Sequence, residues 1–449
     1  MATSLTRAQV TATDRKKFTF SCWLKRGVLS TQENFFTSLH NASNEFQFRF
    51  DSDDELRWVG SISGSAAGLI NTKRLFRDTS GWYNMVIAGD TTQATNIDRL
   101  KLYINGEQIA DGDLNSPGYP GQDTNFGFGT TDFNFCFGVS TPGTTNDPFT
   151  GIITHAHFID GTAYAASTFG STDATTGQWE INTSPTVTYG NNGFFILKNS
   201  NSLTDESGNA NNFTLASGTL TNTEDCPSNV FSTYNPLDNY YANSTFSNGN
   251  TTIVTNSGNT TYNMSTLGIP PTMKCYWEAK FDTIQAANGE VGIVNTPPVG
   301  SSSGSDRLYY QTYGISVNDG GAIWSDNADT GITLGTLSTS DVVCFAWDGV
   351  NQALYVRKNA DAWINSGDPT SGASKTGAVK SFSGTSLTMF PAVGDQSGSH
   401  AVGTSTNFGN GIFGTTAISS EGTNASGIGK FEYDVPTGYT ALSTKGLNL

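Results

Sequence analysis

The sequence predicts an all-β protein made of two antiparallel sandwiches joined by a packed, turn-rich connector. Three observations carry this. Short stretches along the whole chain alternate apolar and polar residues with period two. No stretch of about 11 residues or more shows the apolar spacing of an amphipathic helix, and no heptad run occurs. One hairpin pattern also occurs twice, at residues 82–90 with 100–106 and at residues 341–349 with 353–359. In each copy a hydrophobic strand ends at an aspartate (Asp90, Asp348), and a second alternating strand stops at an asparagine (Asn105, Asn359). That is an antiparallel hairpin with one buried face, built twice.

Taken in order, Phe18, Phe20, Cys22 and Leu24 alternate with Thr19, Ser21 and Trp23. Phe46, Phe48 and Phe50 alternate with Gln47 and Arg49 before Asp51, Ser52, Asp53 and Asp54 turn the chain into Leu56, Arg57, Trp58 and Val59. Phe133, Phe135 and Phe137 form a third such face. From about 164 to 240 the texture becomes turn-rich, yet Trp179, Tyr189 and several Phe argue for an ordered connector rather than a flexible linker. Beyond it, Cys275, Trp277, Ala279 and Phe281 alternate with Tyr276, Glu278 and Lys280. Residues 291–294 read as a short buried strand, residues 313–324 as a hairpin turning at Gly320 and Gly321, and residues 391–394 and 406–409 as later core strands.

Composition agrees. The chain has 449 residues, enough for two or three domains. Aromatic residues reach 12%, with 28 Phe, so the low charged content of 14% is not a sign of disorder. The net charge of −16 argues against nucleic acid and anionic membrane surfaces as partners. It reads either as a solubility charge or as carboxylate-lined Ca²⁺ sites. Of five Cys, Cys22, Cys136, Cys275 and Cys344 lie in apolar strand runs, and Cys226 sits in a loop beside Pro227. The odd count and the lack of any C-x-x-C suit a chain folded in a reducing cytosol, not a zinc ribbon. No segment approaches roughly 18 consecutive apolar residues, so no membrane insertion is expected. The polar start, residues 1–17, is not expected to act as a signal peptide.

Residues 18–161 resemble the laminin-G/concanavalin-A-like jelly roll, through Phe18-Thr19-Phe20-Ser21-Cys22-Trp23-Leu24, Gly81-Trp82-Tyr83, Leu102-Tyr103-Ile104-Asn105-Gly106 and Phe149-Thr150-Gly151-Ile152. Residues 240–449 resemble the SPRY domain, also a concanavalin-A-like jelly-roll sandwich. The marks are Tyr276-Trp277-Glu278, Val291-Gly292-Ile293, Gly314-Ile315, Asp341-Val342-Val343 with Trp347-Asp348, Tyr355-Val356-Arg357-Lys358-Asn359, and Asn407-Phe408-Gly409. The connector is more specific. Phe169-Gly170, Asp173, Thr176-Gly177-Gln178-Trp179, Gly190, Gly193-Phe194, Asp205, Gly208-Asn209, Asn212-Phe213 and Tyr234-Asn235-Pro236-Leu237 resemble a connector of bacteriophage structural proteins. The ending, Tyr433-Asp434-Val435-Pro436-Thr437-Gly438-Tyr439-Thr440-Ala441-Leu442, resembles their closing segment. The division expected is 1–165 for the first jelly roll, 166–238 for a connector packed on it, and 239–449 for the SPRY-like sandwich.

The resemblance implies a virion structural and adhesive protein: a tail-fibre, receptor-binding or head-decoration subunit, made in the host cytoplasm. Its expected partners are other virion proteins and host surface polysaccharide, and it is expected to form a homo-oligomer because weak contacts become useful when several copies engage together. No enzymatic activity is expected. The alternatives are a polysaccharide depolymerase of the concanavalin-A-like class and a capsid-cementing protein with no host ligand. The Glu-x-Asp-x-x-Glu strand of laminarinase-like relatives is absent, since Glu278 is followed by Ala279, Lys280, Phe281 and Asp282.

No cofactor is expected except Ca²⁺, which laminin-G-like domains often hold. Asp51, Asp53, Asp54, Asp90, Asp98, Asp111 and Asp113 lie in turns, where Asp also serves by bonding its own backbone. His155 and His157 stand two apart on one strand, either as half a metal site, as a solvent-facing strand pair, or as residues packed under the connector. His40 and His400 sit in no nucleophile–base motif. Among the aromatics Tyr309, Tyr310, Tyr313, Trp324 and Trp363, the adjacent pair Tyr309 and Tyr310 stands out, because neighbouring strand residues cannot both face one core. A Pro/Gly/Ser-rich loop at 296–306 leads into that pair. Tyr309, Tyr310, Trp324, Asp306 and Arg307 are therefore the candidate ligand-binding residues, with a subunit interface or plain core packing as the other roles open to them.

Overall fold

A computed structural model describes residues 2–41, 43–62, 65–239, 244–256, 258, 260–285, 287–298, 307–396 and 399–449. Among them helical structure is confined to 3-10 turns of three residues each. Strands pair antiparallel nearly throughout. The exception among the named strands is Thr440–Ala441, which runs parallel to Lys274–Phe281. The chain divides into two compact units, 1–221 and 222–449.

In the first unit a seven-stranded sheet faces a six-stranded one. The seven-stranded order is Thr214–Ser217, Ser4–Ala8, Asn134–Phe137, Glu33–Asn41, Asn44–Phe50, Glu55–Ile62, Ser65–Leu75. The six-stranded order is Phe194–Ile196, Gly151–Asp160, Lys17–Arg26, Tyr83–Asp90, Leu100–Ile104, Glu107–Gln108. The phenylalanine faces read from the sequence meet between them: Phe20 stacks on Phe36 with centroids 4.0 Å apart, and Phe135 lies 4.6 Å from Phe158. Burying such rings is the main source of this core's stability.

The second face of Lys17–Arg26 is buried as well, although alternation alone assigns it to solvent. The reason is the connector. Ala166, Phe169, Tyr164, Trp179, Val187 and Tyr189 pack with Val86, Ile159 and Tyr103 on that outer face. Trp179 donates to Asn84 Oδ1 at 3.0 Å, and its ring closes over Gly106, where a Cβ would come within 2.4 Å and φ is +83°. The connector also adds an edge strand to each sheet, Phe194–Ile196 and Thr214–Ser217. Its Asp205 motif is a hydrogen-bond hub: the carboxylate accepts the N–H groups of Phe195, Ser207 and Asn211 at 2.8–2.9 Å, and Asn212 Oδ1 accepts the N–H of Asp205.

The second unit pairs an eight-stranded sheet with a six-stranded one. The first contains Gly403–Asn407, Lys274–Phe281, Val342–Asp348 and Ala353–Lys358 side by side. The second runs Tyr262–Met264, Phe390–Asp395, Gly289–Val294, Ile315–Asn318, Ala322–Ser325, Ala328–Thr333. Trp277, Phe345, Val291, Ile315 and Val393 are among the side chains filling the space between them. The unit begins at 222 and not at 239, because Phe231 and Tyr234 are each 1% exposed within its clusters. Tyr234 bonds Thr406 Oγ1 at 2.7 Å and packs on Phe408. Residues 222–238 thus belong to this unit, while 166–221 belong to the first.

Both predicted hairpins form, with Ile87 opposite Leu102 and Phe345 opposite Val356. The repeated Asp and Asn have one mechanical role. Asp90 accepts the N–H of Thr92 at 3.0 Å and Asp348 that of Asn351 at 3.0 Å, closing the turn after the first strand. Asn105 Oδ1 accepts the N–H of Asn84 at 2.7 Å, and Asn359 Oδ1 that of Val342 at 2.8 Å, tying the end of the second strand to the start of the first. Short polar side chains bond backbone in this way.

Candidate functional site

The segment after residue 306 lies across the outer face of the second unit's six-stranded sheet. Leu308 is the reason: it is fully buried with Tyr262, Met264, Val294 and Ala392. Beneath it, Glu290 is 0% exposed. Its carboxyl accepts the N–H of Leu308 at 3.0 Å, the Ser316 hydroxyl at 2.7 Å and Gln396 Nε2 at 3.3 Å. Burial pushes this carboxyl up to about 7 against the pull of those donors. The sequence reading passed over Glu290. Its one local signal is a charged residue between Gly289 and an apolar strand run.

Tyr309 and Tyr310 lie in a 3-10 turn, Leu308–Tyr310, and not in a strand. The turn still separates the pair: Tyr309 is 3% exposed and Tyr310 37%. The rings meet edge to face at 4.8 Å, and Tyr309 lies 4.9 Å from the half-buried Trp324. Arg307 Nη1 donates to the Tyr309 hydroxyl at 3.1 Å and to the Tyr310 hydroxyl at 2.9 Å, with its guanidinium 5.0 Å from the Tyr310 ring. Burial raises the Tyr309 phenol above its ordinary value. Trp324 reaches this face because Ile323 beside it points into the core. Four of the five candidates, Arg307, Tyr309, Tyr310 and Trp324, therefore form one cluster. Asp306 lies outside the described residues. The hairpin Ile315–Asn318 with Ala322–Ser325 forms as expected, with Gly321 at φ +93° in its turn.

Tyr313 and Trp363 belong elsewhere. Tyr313 packs against the main core and meets Phe382 edge to face at 5.1 Å. Trp363 takes Arg357 over its ring at 4.7 Å. Asp329 joins the candidate cluster only through tertiary register: it stands opposite Trp324 on the neighbouring strand.

His155 and His157 do not share a regular strand face. The register shifts between Thr154 and His157, and His155 has φ +48°. His157 is 2% exposed, stacks on Phe195 at 3.9 Å and bonds the Tyr189 hydroxyl at 2.9 Å. Burial pushes both imidazoles down, His155 to about 4 and His157 well below the ordinary value. They pack under the connector. Among the described residues no group of three or more His, Cys, Asp or Glu is placed to hold a metal ion. The turn aspartates bond other side chains of the unit: Asp51 with Arg49 and Arg57, Asp54 with Arg26 and Arg77, Asp98 with Lys101, and Asp111 with the Tyr119 hydroxyl. All five Cys are free thiols, four of them buried. No helix among the described residues is long and apolar enough to cross a membrane.

The buried glutamates have a pH consequence. Glu278 is fully buried and its carboxyl is also pushed up to about 7 by burial. Against an unfolded value of about 4.3, the folded unit binds extra protons between these limits. This contribution is fully present below the unfolded value and is lost as pH rises through about 7. The denaturant midpoint of the second unit is therefore expected to rise as pH falls from 8 to 5, with a flatter slope in Glu290→Gln. An identical slope in that variant refutes the assignment to Glu290.

Comparison with known proteins adds the following. No curated protein matches the chain. Among solved structures it is similar to the SPRY domain of human HERC1 (14% identity, 38% of this chain and 96% of that chain, TM-score 0.30). It is similar to domains LG4-5 of the mouse laminin alpha1 chain (7% identity, 87% and 78%, TM-score 0.30). A third likeness is to the enzymatically active domain of tailspike protein 2 from bacteriophage CBA120 (11% identity, 37% and 25%, TM-score 0.27). Residues 2–166 match the family model Laminin_G_3, described as the concanavalin A-like lectin/glucanases superfamily. The first unit contains a laminin G/concanavalin A-like domain.

Proposed function

We propose that the chain is a non-enzymatic structural and adhesive protein of a bacteriophage virion, a tail-fibre, receptor-binding or head-decoration subunit. Its second, SPRY-like unit holds host surface glycan on the face formed by Arg307, Tyr310 and Trp324, and the chain works as a homo-oligomer beside other virion proteins. One observation carries the glycan reading: the exposed Tyr310 and the half-buried Trp324 both pack on the buried Tyr309, Arg307 bonds both phenols, and the turn that carries them is pinned at Leu308 by a fully buried carboxyl. Aromatic faces suit the CH surfaces of sugars, and guanidinium N–H groups suit their hydroxyls. Rigid placement of such groups is what a binding surface needs. The virion reading is supported by the likeness of residues 169–213, 234–237 and 433–442 to phage structural proteins. The non-enzymatic reading is supported by the duties of the carboxyls that burial raises to about 7: Glu33, Glu278 and Glu290 are each at most 1% exposed and engaged by protein donors.

The test uses purified chain and host surface polysaccharide. Retention without release of oligosaccharide is expected, and released oligosaccharide makes the chain a depolymerase instead. Tyr310→Ala is expected to weaken retention about tenfold, the equivalent of about 1.4 kcal/mol for one lost aromatic contact, with an unchanged unfolding midpoint. Tyr309→Ala is the poorer probe, because that ring is buried. Parental retention by Tyr310→Ala removes this face from the function.

A further inference from the structure

We infer that the bound glycan is uncharged, and that Asp329, a residue the sequence does not single out, supplies the hydroxyl acceptor opposite the Arg307 donor. This rests on the glycan reading above and specifies its ligand. Asp329 lies on the sheet's outermost strand, Ala328–Thr333, directly opposite Trp324. The register shifts between Ala322 and Trp324, but from Trp324 to the turn the pairing is regular, with Ser325 opposite Ala328, so Trp324 and Asp329 project from the same face with Cβ atoms about 5 Å apart. Trp324 is thus flanked by the Asp329 carboxylate across the strands and, through Tyr309, by the aromatic–guanidinium group. Asp329 is exposed. Its Oδ1 accepts the N–H of Gly331 at 2.8 Å, and Oδ2 has no partner among the described residues. Arg307 spends Nη1 on two phenol oxygens and makes no ion pair among the described residues. Among the described residues, Asp326 is paired with Lys380, and Glu290 is engaged by Leu308, Ser316 and Gln396.

Among the described residues, a carboxylate and a guanidinium without ion-pair partners lie on either side of aromatic faces and give a surface with both an acceptor and a donor. A hydroxyl is both donor and acceptor, so a neutral pyranose satisfies the two together. A carboxylate-bearing sugar satisfies Arg307 but is repelled by Asp329, and an acidic polymer also meets the field of a chain of net charge −16. Like-charge juxtaposition is a means of rejecting the wrong ligand.

The test measures binding of the full chain to two sets of immobilised polymers. One set is acidic: polygalacturonate, alginate, hyaluronate and polysialic acid. The other set is the same four after reduction of their carboxyl groups to alcohols, together with dextran and mannan. Tighter binding to neutral members is expected, at least tenfold over their acidic parents, with little change between 50 and 500 mM NaCl. Asp329→Ala is expected to weaken that binding about tenfold, and Asp329→Asn, which keeps an acceptor oxygen, less. Melting of both variants is expected to match the parent, since the residue is exposed. Preferential binding to acidic members overturns the uncharged-ligand inference and leaves the glycan reading standing. Parental binding by Asp329→Ala overturns the role of Asp329. Binding to no polymer of either set overturns the glycan reading and this inference with it.

Discussion

Glu278→Ala lowers the stability of the second unit by about 3–5 kcal/mol, read as a fall in its denaturant midpoint while the first unit's transition stays in place. The carboxyl is fully buried and accepts four hydrogen bonds. Tyr276 Oη and the N–H of Tyr433 reach Oε1 at 3.0 and 2.8 Å; Asn407 Nδ2 and the N–H of Glu432 reach Oε2, each at 3.0 Å. It is the anchor by which the closing segment, with Phe431, Val435 and Tyr439, covers Tyr276, Val342 and Cys344 on the outer face of the eight-stranded sheet. Truncation leaves four buried donors unmet at once, and each unmet donor costs about 1–3 kcal/mol before relaxation. Glu278→Gln keeps the shape and an acceptor oxygen, so it should cost less than Ala. Protease sensitivity within residues 420–440 should rise in Glu278→Ala. A loss below about 1 kcal/mol, the size of an ordinary surface change, would show that the segment is held by its apolar contacts alone.

Arg26→Met destabilises the first unit by about 3–5 kcal/mol, the cost of leaving buried charge uncompensated. The guanidinium is 0% exposed and joins Glu33 at 3.2 Å to Asp54 at 3.1 Å, both carboxylates also buried. It donates as well to the Phe76 carbonyl at 2.8 Å and lies 4.1 Å from the Phe50 ring centroid. Methionine fills much of the volume but strands two carboxylates; Arg77, on a half-exposed side chain, remains for Asp54 alone. Burial already holds the Glu33 carboxyl up near 7 despite Arg26, so without the cation it rises further. The deficit of Arg26→Met should therefore shrink as pH falls and the stranded Glu33 carboxyl takes up a proton. A deficit that stays constant from pH 8 to 5 would mean that the loss comes from packing and not from charge.

Neither effect was legible in the sequence, and the reason is common to both. Arg26 reads as the polar end of a strand and Glu278 as a solvent-facing position in a period-two pattern. Besides the nearby Glu33 and Tyr276, their partners lie at 54, 407 and 432–433, beyond any local window. His155 and His157 failed in a related way. The same-face argument assumes an unbroken pleat, and one bulge reverses it. The aromatic pair Tyr309 and Tyr310 was legible as a candidate, although through a strand argument, whereas a 3-10 turn splits it between core and surface. Asp329 was invisible because only strand register sets it beside Trp324.

The sequence by itself determined the all-β class, the strands carrying Phe18–Leu24, Phe46–Phe50, Cys275–Phe281 and Val343–Trp347, and the two hairpins closed by Asp and Asn. Those features follow from the pleat and from turn chemistry, which act over two to five residues and so are written locally. The tertiary structure alone decided which second faces are buried, where the chain divides, and which polar groups meet. Burial of a strand's outer face depends on what another segment lays over it, as residues 164–189 do in the first unit and residues 413–439 in the second. A buried carboxyl is tolerable only where distant donors converge on it, and that convergence is a property of the folded chain.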